Sequence, residues 1–365
     1  MDNKRKNVLI CPLNWGLGHA TRCVPIIKKF LEKDFNVIIA AEKRPLHFLS
    51  EEFPDTKNII FPGFDVKYSK SNTLIWKMLF NTPVFIFSII KEHKTLKKII
   101  KKYNIDIVVS DNRYGLWNKN VFSIFMTHQI IVKCPKFFKF LEYIFYKFNK
   151  FNISKYNECW IPDYKDNDNN LSGDLSHKYK LKENCYFIGP LSRFNSFKKN
   201  IPKTDIKKKY DILAILSGPE PQRTIFQEKI ISQLKTTNLK AVIVKGITEK
   251  QTLNVTIKNI KIFSHLNTND LLKYIGLSRT IICRSGYSSI MDMACIGRKA
   301  VFIPTPGQTE QEYLAKYLSE KKLFYFQLQK KLNILQAVKN FDKYSGLNVE
   351  NNMQLLDERI KNCFF

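Results

Sequence analysis

No two cysteines in this 365-residue chain stand in C-x-x-C spacing, although eight are present. Their scatter, with Cys11 and Cys283 inside apolar runs, excludes a zinc ribbon or a disulfide-stapled scaffold. It fits reduced, buried thiols in a cytoplasmic protein. No apolar run reaches the ~20 residues that span a bilayer. The nearest, LIWKMLFNTPVFIFSII (74–90), is broken by Lys77 and by Asn81-Thr82-Pro83. The basic start MDNKRK leads into only a short apolar run, which reads as a first strand and not a signal peptide. Acidic residues are few: 32 against 60 basic ones, a net charge of +28. Such a charge points to an anionic partner. However, the basic residues are almost all Lys, in a chain also rich in Asn, Ile and Phe. That is a composition-wide bias, and no known nucleic-acid module accompanies it. Arginine is the scarce cation. Arg22, Arg113, Arg193, Arg223 and Arg284 fall in polar junctions, where they are more telling.

The chain is long enough for two domains. Apolar runs alternate with helical stretches in each half. NVLICPL (7–13), NVIIAA (36–41), KNIIFPG (57–63), IDIVVSD (105–111), VFSIFMTHQ (121–129) and CYFIGPL (185–191) read as strands of the first. YDILAILSG (210–218), KAVIVKG (240–246), IKIFSHL (260–266), RTIICRSG (279–286) and KAVFIPTPG (299–307) read as strands of the second. Continuous apolar strands separated by helices imply parallel sheets covered on both faces. The expected fold is α/β: two Rossmann-like, doubly wound domains facing a central cleft. Residues 1–190 form the first domain, the basic segment 191–209 the linker, 210–348 the second domain and 349–365 a final amphipathic helix. Residues 163–180 read as a polar loop.

In open parallel sheets, ligands bind beyond the carboxyl ends of the strands. The residues there are therefore the candidates. In NWGLGHATR, Gly16 and Gly18 permit a tight strand-to-helix turn. The following helix aims free N–H groups at whatever occupies the cleft, with His19 at the mouth. A turn without a ligand is equally compatible with these glycines. In RSGYSSIMD, Arg284, Ser285, Gly286, Ser288 and Ser289 surround a helix start, which suits an anion. N-capping explains one of those hydroxyls but not three. Asp292 lies far enough along that helix to reach a ribose.

These motifs resemble glycosyltransferase family 28 of the GT-B fold, which includes the N-acetylglucosaminyltransferase of peptidoglycan lipid II synthesis. GLGHATRCVP is similar to its Gly-rich loop, CRSGYSSIMD to its donor signature, and IPTPGQTEQEYLA to its Gln-bearing segment. GPLSR and LSGPEPQR resemble its linker-proximal Arg and second-domain loop. The resemblance implies a nucleotide-sugar co-substrate, UDP-linked, and no cofactor. It implies that His19 lies near the acceptor. Arg193, Ser217, Gly218 and the loop before Asp270, including Leu266, would surround the nucleotide. Asp292 would hold ribose hydroxyls, and Gln308 and Gln311 would touch the sugar. A second similarity, to plant-type small-molecule glycosyltransferases, pairs His19 with Asp111.

Glycosyl transfer needs a base on the acceptor hydroxyl and stabilisation of the departing diphosphate. His19 with Asp111 is the expected base pair, although Asp111 is equally readable as a strand-end cap. His128 is a second, weaker choice. Arg284, with Arg193 or Arg223, is expected at the leaving group. DNDNN (166–170) reads as a polar loop and not a metal site, so the expected reaction is inverting and metal-independent. The apolar-basic stretches 74–102 and 136–151 read as core helices with solvated Lys faces. The competing reading is an anionic membrane surface that delivers a lipid-linked, cell-envelope acceptor. The alternatives to transfer are a nucleotide-sugar hydrolase or epimerase of the same fold, or a nucleic-acid binder suggested by charge alone.

Overall fold

The computed structural model describes residues 5–63, 82–166, 168–195, 208–247, 254–347 and 353–365. Contacts divide the chain into a first unit that runs to Leu191 and takes in the C-terminal helix, and a second that starts at Ser192.

The first unit is built on seven strands: β1 (Asn7–Cys11), β2 (Asn36–Ala41), β3 (Lys57–Ile60), β4 (Ile107–Asp111), β5 (Phe122–Met126), β6 (Glu158–Ile161) and β7 (Cys185–Phe187). All are parallel, in the order β3-β2-β1-β4-β5-β6-β7. Val8 to Cys11 and Val108 to Asp111 are wholly buried, as expected for central strands covered on both faces. The covering helices include α1 (Leu17–Glu32), α2 (Lys43–Glu52), α3 (Thr82–Tyr103) and α4 (Leu141–Ile153). Strand order reverses between β1 and β4, so the crevice at their carboxyl ends is the switch point of the sheet.

The C-terminal segment is helical, as its pattern suggests. Helix Met353–Phe364 packs on the first unit. Arg359 donates from Nε to Glu158 Oε2 at 2.9 Å, makes a second bond to Oε1, and stacks on Tyr186 at 3.4 Å. Phe364 joins Phe30, Phe35 and Phe122 in an aromatic cluster.

Helices α3 and α4 also depart from expectation. They meet at Phe85 and Phe148, with ring centroids 6.4 Å apart, but they are not core helices on all their apolar positions. Val84, Phe87, Ile144 and Phe151 are more than half exposed, as are Phe137 and Phe140 just before α4. Exposed lysines lie beside them, at Lys91, Lys139 and Lys147. Residues 74–81 of the earlier apolar stretch fall outside the described residues.

The second unit repeats the plan with β8 (Tyr210–Ile215), β9 (Ala241–Val244), β10 (Asn254–Ile257), β11 (Ile260–Phe263), β12 (Ser278–Cys283), β13 (Val301–Phe302) and β14 (Tyr325–Phe326). Their order is β10-β11-β9-β8-β12-β13-β14. Only β10 runs antiparallel among these strands. It pairs with β11 through a tight turn in which Lys258 takes φ +52°. Here the order reverses between β8 and β12. Helices α5 (Gln222–Leu234), α6 (Thr268–Leu277), α7 (Tyr287–Cys295), α8 (Thr309–Glu320) and α9 (Ile334–Phe341) complete the unit. Ile212, Phe226, Ile243, Ile282, Val301 and Phe341 are among the residues of its core. The expected linker start belongs here, because Ser192 and Arg193 are fastened to α7.

Candidate active site

At the first switch point, Gly16 takes φ +91° as the N-cap of α1, with open space before it. A side chain there would be strained. No side chain caps α1. His19, in its first turn, is turned back to the end of β4, where its Nδ1 lies 3.0 Å from Asp111 Oδ2. Asp111 is wholly buried, while the His19 side chain keeps 16% of its surface. Burial works to raise the Asp111 carboxyl. The charges of Arg22 and His19, with their hydrogen bonds, outweigh it and hold the group below its ordinary value.

Sequence reasoning noticed Arg22 but gave it no role. It lies three residues after His19, on the same face of α1. Its Nε donates to Asp111 Oδ2 at 2.9 Å, and its Nη2 makes a second bond to Oδ1. That Nη2 also lies 2.8 Å from His19 Nδ1, and Nη1 lies 3.0 Å from His128 Nδ1. Both Arg22 and His128 are buried. Asp111 is therefore more than a strand-end cap: it joins two helical residues to the sheet. Gly18, Cys23 and His128 are brought to the same place, Gly18 through its carbonyl to Thr21 Oγ1.

In the second unit, three strand ends converge. Gly218, after β8, takes φ +100°, and a Cβ there would stand 3.5 Å from the Thr305 hydroxyl. Gln311, in α8, holds the loop after β13 by accepting from Thr305 N at 2.8 Å, and it bonds to Gln308. Ser285, after β12, donates to Gln311 O at 2.8 Å. Gly286 faces Gln311 Nε2, 3.9 Å from where its Cβ would be. Ser217 is exposed, and Ser288 and Ser289 are half-buried in the first turn of α7. Helix α7 has Gly286 at its N-cap and no side-chain cap, and its positive end suits an anion. Thr305 carries no strong local signal, being one threonine between two prolines.

Asp292, on α7, accepts from Ser192 Oγ at 2.6 Å, and Arg193 Nε lies 3.8 Å from its other oxygen. Burial pushes its carboxyl up to about 6, against the lowering effects of Arg193 and Ser192. A carboxyl so shifted is characteristic of functional sites.

Two arginines are not placed as anion clamps. Arg284 is buried against Phe226 at 4.2 Å and donates to the carbonyls of Ile303, Pro304 and Gln222. Those loop carbonyls need donors, and its guanidinium supplies them. Burial lowers it to about 9, which still leaves it charged at neutral pH. Arg223 is taken by Glu220, at 2.6 Å and 3.0 Å, and by Gly246 O. Leu266 is buried at the start of the loop before α6. His177 stacks on Phe187 and reaches Asp163, a structural loop contact.

Residues 220–355 match the glycosyltransferase family 28 C-terminal domain, and residues 8–121 match glycosyl transferase family 1. The chain has the GT-B fold, and its second half is similar to glycosyltransferase family 28. Over 95 residues it is 32% identical to a UDP-N-acetylglucosamine–N-acetylmuramyl-(pentapeptide) pyrophosphoryl-undecaprenol N-acetylglucosamine transferase of Histophilus somni (strain 129Pt). That match spans 25% of this chain and 26% of the relative, about a quarter of each. Among solved structures, the glycotransferase of kitacinnamycin superposes with a TM-score of 0.65 at 10% identity, over 98% of this chain and 99% of the other. MurG of Acinetobacter baumannii superposes at 0.52 and 13% identity, over 98% and 94%. At such identities these two speak for the fold alone.

Proposed function

We propose that this chain transfers a sugar from a UDP-linked donor to an acceptor hydroxyl, with inversion and without a metal ion. The observation that carries the reading is the His19–Asp111 contact at the first switch point. Asp111 can accept the Nδ1 proton, which leaves Nε2 as the base. Nε2 has no hydrogen-bond partner among the described residues.

The chemistry runs as a single displacement. Nε2 takes the acceptor proton as the oxygen attacks the anomeric carbon, and the diphosphate leaves from the opposite face. That geometry inverts the centre. The growing charge on the diphosphate is met by the uncapped start of α7, its Ser288 and Ser289 hydroxyls, and Arg193. Asp292 accepts hydrogen bonds from the ribose hydroxyls, and Gln308 and Gln311 address the sugar. The family 28 match over residues 220–355 supports a donor site in this half.

The exposed Phe87, Ile144 and Phe151, with the exposed Lys91 and Lys147 three or four residues from them on the same helices, support peripheral docking on an anionic lipid surface. A lipid-linked acceptor fits that placement. No helix among the described residues is long and apolar enough to cross a membrane.

A thermal-shift panel of nucleotides tests the donor assignment. UDP and UDP-sugars should raise the melting temperature, and Asp292→Ala should lose that response. An equal response to every nucleotide, or none to UDP, would contradict it.

A further inference from the structure

We propose that Arg22 is a positioning residue that decides which protons the two histidines carry. The inference deepens the base role given to His19 above and rests on that reading.

One ring nitrogen of His19 faces two neighbours that ask opposite things of it. Asp111 Oδ2, 3.0 Å from Nδ1, can only accept, so it favours a proton there. Arg22 Nη2, 2.8 Å from the same atom, can only donate, so it favours a bare nitrogen. Only the first arrangement leaves Nε2 free to act as a base. Arg22 is thus both rival and ally. It competes for Nδ1, but its two bonds to Asp111 also absorb the carboxylate charge.

Without Arg22, a wholly buried carboxylate would have His19 as its nearest cation source, and the ring would bind a second proton. A doubly protonated ring cannot take one from an acceptor. Among the described residues, the charged and titratable groups that reach this cluster include Arg22 and Cys23 from α1, Cys11 from β1 beside Cys23, Asp111 from β4 and His128 just beyond β5. Among these Arg22 is the fixed cation, so it is Arg22 that discharges Asp111 permanently. It also fixes His128. Arg22 Nη1 can only donate, so it favours a bare Nδ1 on His128 and a ring proton on Nε2.

The test is side-chain nitrogen–proton correlation spectroscopy on the full chain, with histidine variants used to assign the signals. In the parent at neutral pH, His19 should be a neutral ring and His128 a neutral ring protonated on Nε2. Arg22→Gln should turn His19 into the doubly protonated form. Arg22→Gln with Asp111→Asn, which removes both charges, should return it to neutral. If Arg22→Gln does not fold, Arg22→Lys carries the test. One ammonium cannot serve Asp111, His19 and His128 together, so His128 should then populate both tautomers. A folded Arg22→Gln or Arg22→Lys protein with both rings unchanged would overturn the proposal. These readouts need no donor or acceptor, so they fail or succeed separately from the glycosyltransfer reading. In turnover, Arg22→Gln should lower kcat about 100-fold while the donor KM stays within about twofold.

Discussion

Asp292→Asn should make the protein more stable at neutral pH, and by an amount that depends on pH. In the parent, burial moves this carboxyl from its ordinary 3.8 up to about 6. The folded state therefore holds the proton more tightly than the unfolded chain does. The stability contributed by this group is fully present below about 4 and is lost as pH rises through the window up to about 6, by roughly 3 kcal/mol at most. Asparagine never ionises, so the variant is spared that fall. It can still accept from Ser192, but it loses the charge that faces Arg193. An advantage of ~1–3 kcal/mol over the parent should thus appear above pH 6 and vanish near pH 4. Urea denaturation at half-unit steps from pH 4 to 8 measures it. A difference independent of pH, or one that shrinks as pH rises, would refute the reasoning. The same variant should bind UDP more weakly. A carboxylate kept ionised at a cost to stability is what a ribose-binding role would explain.

Three further outcomes follow from particular contacts. Arg359→Ala leaves Glu158 buried beside Trp160 without its cation; it should cost ~3 kcal/mol in denaturant melts, and Glu158→Gln in the same background should recover part of that. Gly115→Ala should cost about 3 kcal/mol or fail to fold, because its Cβ would collide with the Ile89 carbonyl oxygen and stand 2.8 Å from Glu92 Cβ. Phe87→Ser with Phe151→Ser should reduce co-sedimentation with anionic vesicles at least tenfold. Parent binding should weaken at high salt and be poor on neutral vesicles; equal binding by parent and variant would remove the docking surface.

What could be read in the sequence was what local pattern controls. The run ending at Cys11 and the glycine at position 16 announced β1 and the start of α1, because a buried parallel strand must be apolar throughout and the turn needs positive φ. RTIICRSG likewise announced β12 and α7. Short elements were lost: β6, β10 and β14 are two to four residues long and carry little pattern. Direction was lost too. Arg284 stands at a helix start, where sequence suggests an anion, but the carbonyls that claim it come from the loop after β13 and from Gln222. Arg22 went unassigned because its partner Asp111 lies 89 residues away. The exposure of Phe87 and Phe151 was misjudged because an amphipathic period shows that a helix has two faces, and not which of them is covered.

The most direct measurement is the rate of UDP release from UDP-sugars by His19→Ala relative to the parent, at saturating donor and with membrane lipid extract as the acceptor source. The account predicts release by the parent that depends on the extract, and a drop of at least about 100-fold in the variant. Equal rates in the two proteins would contradict it, as would a parent that releases no UDP from any donor.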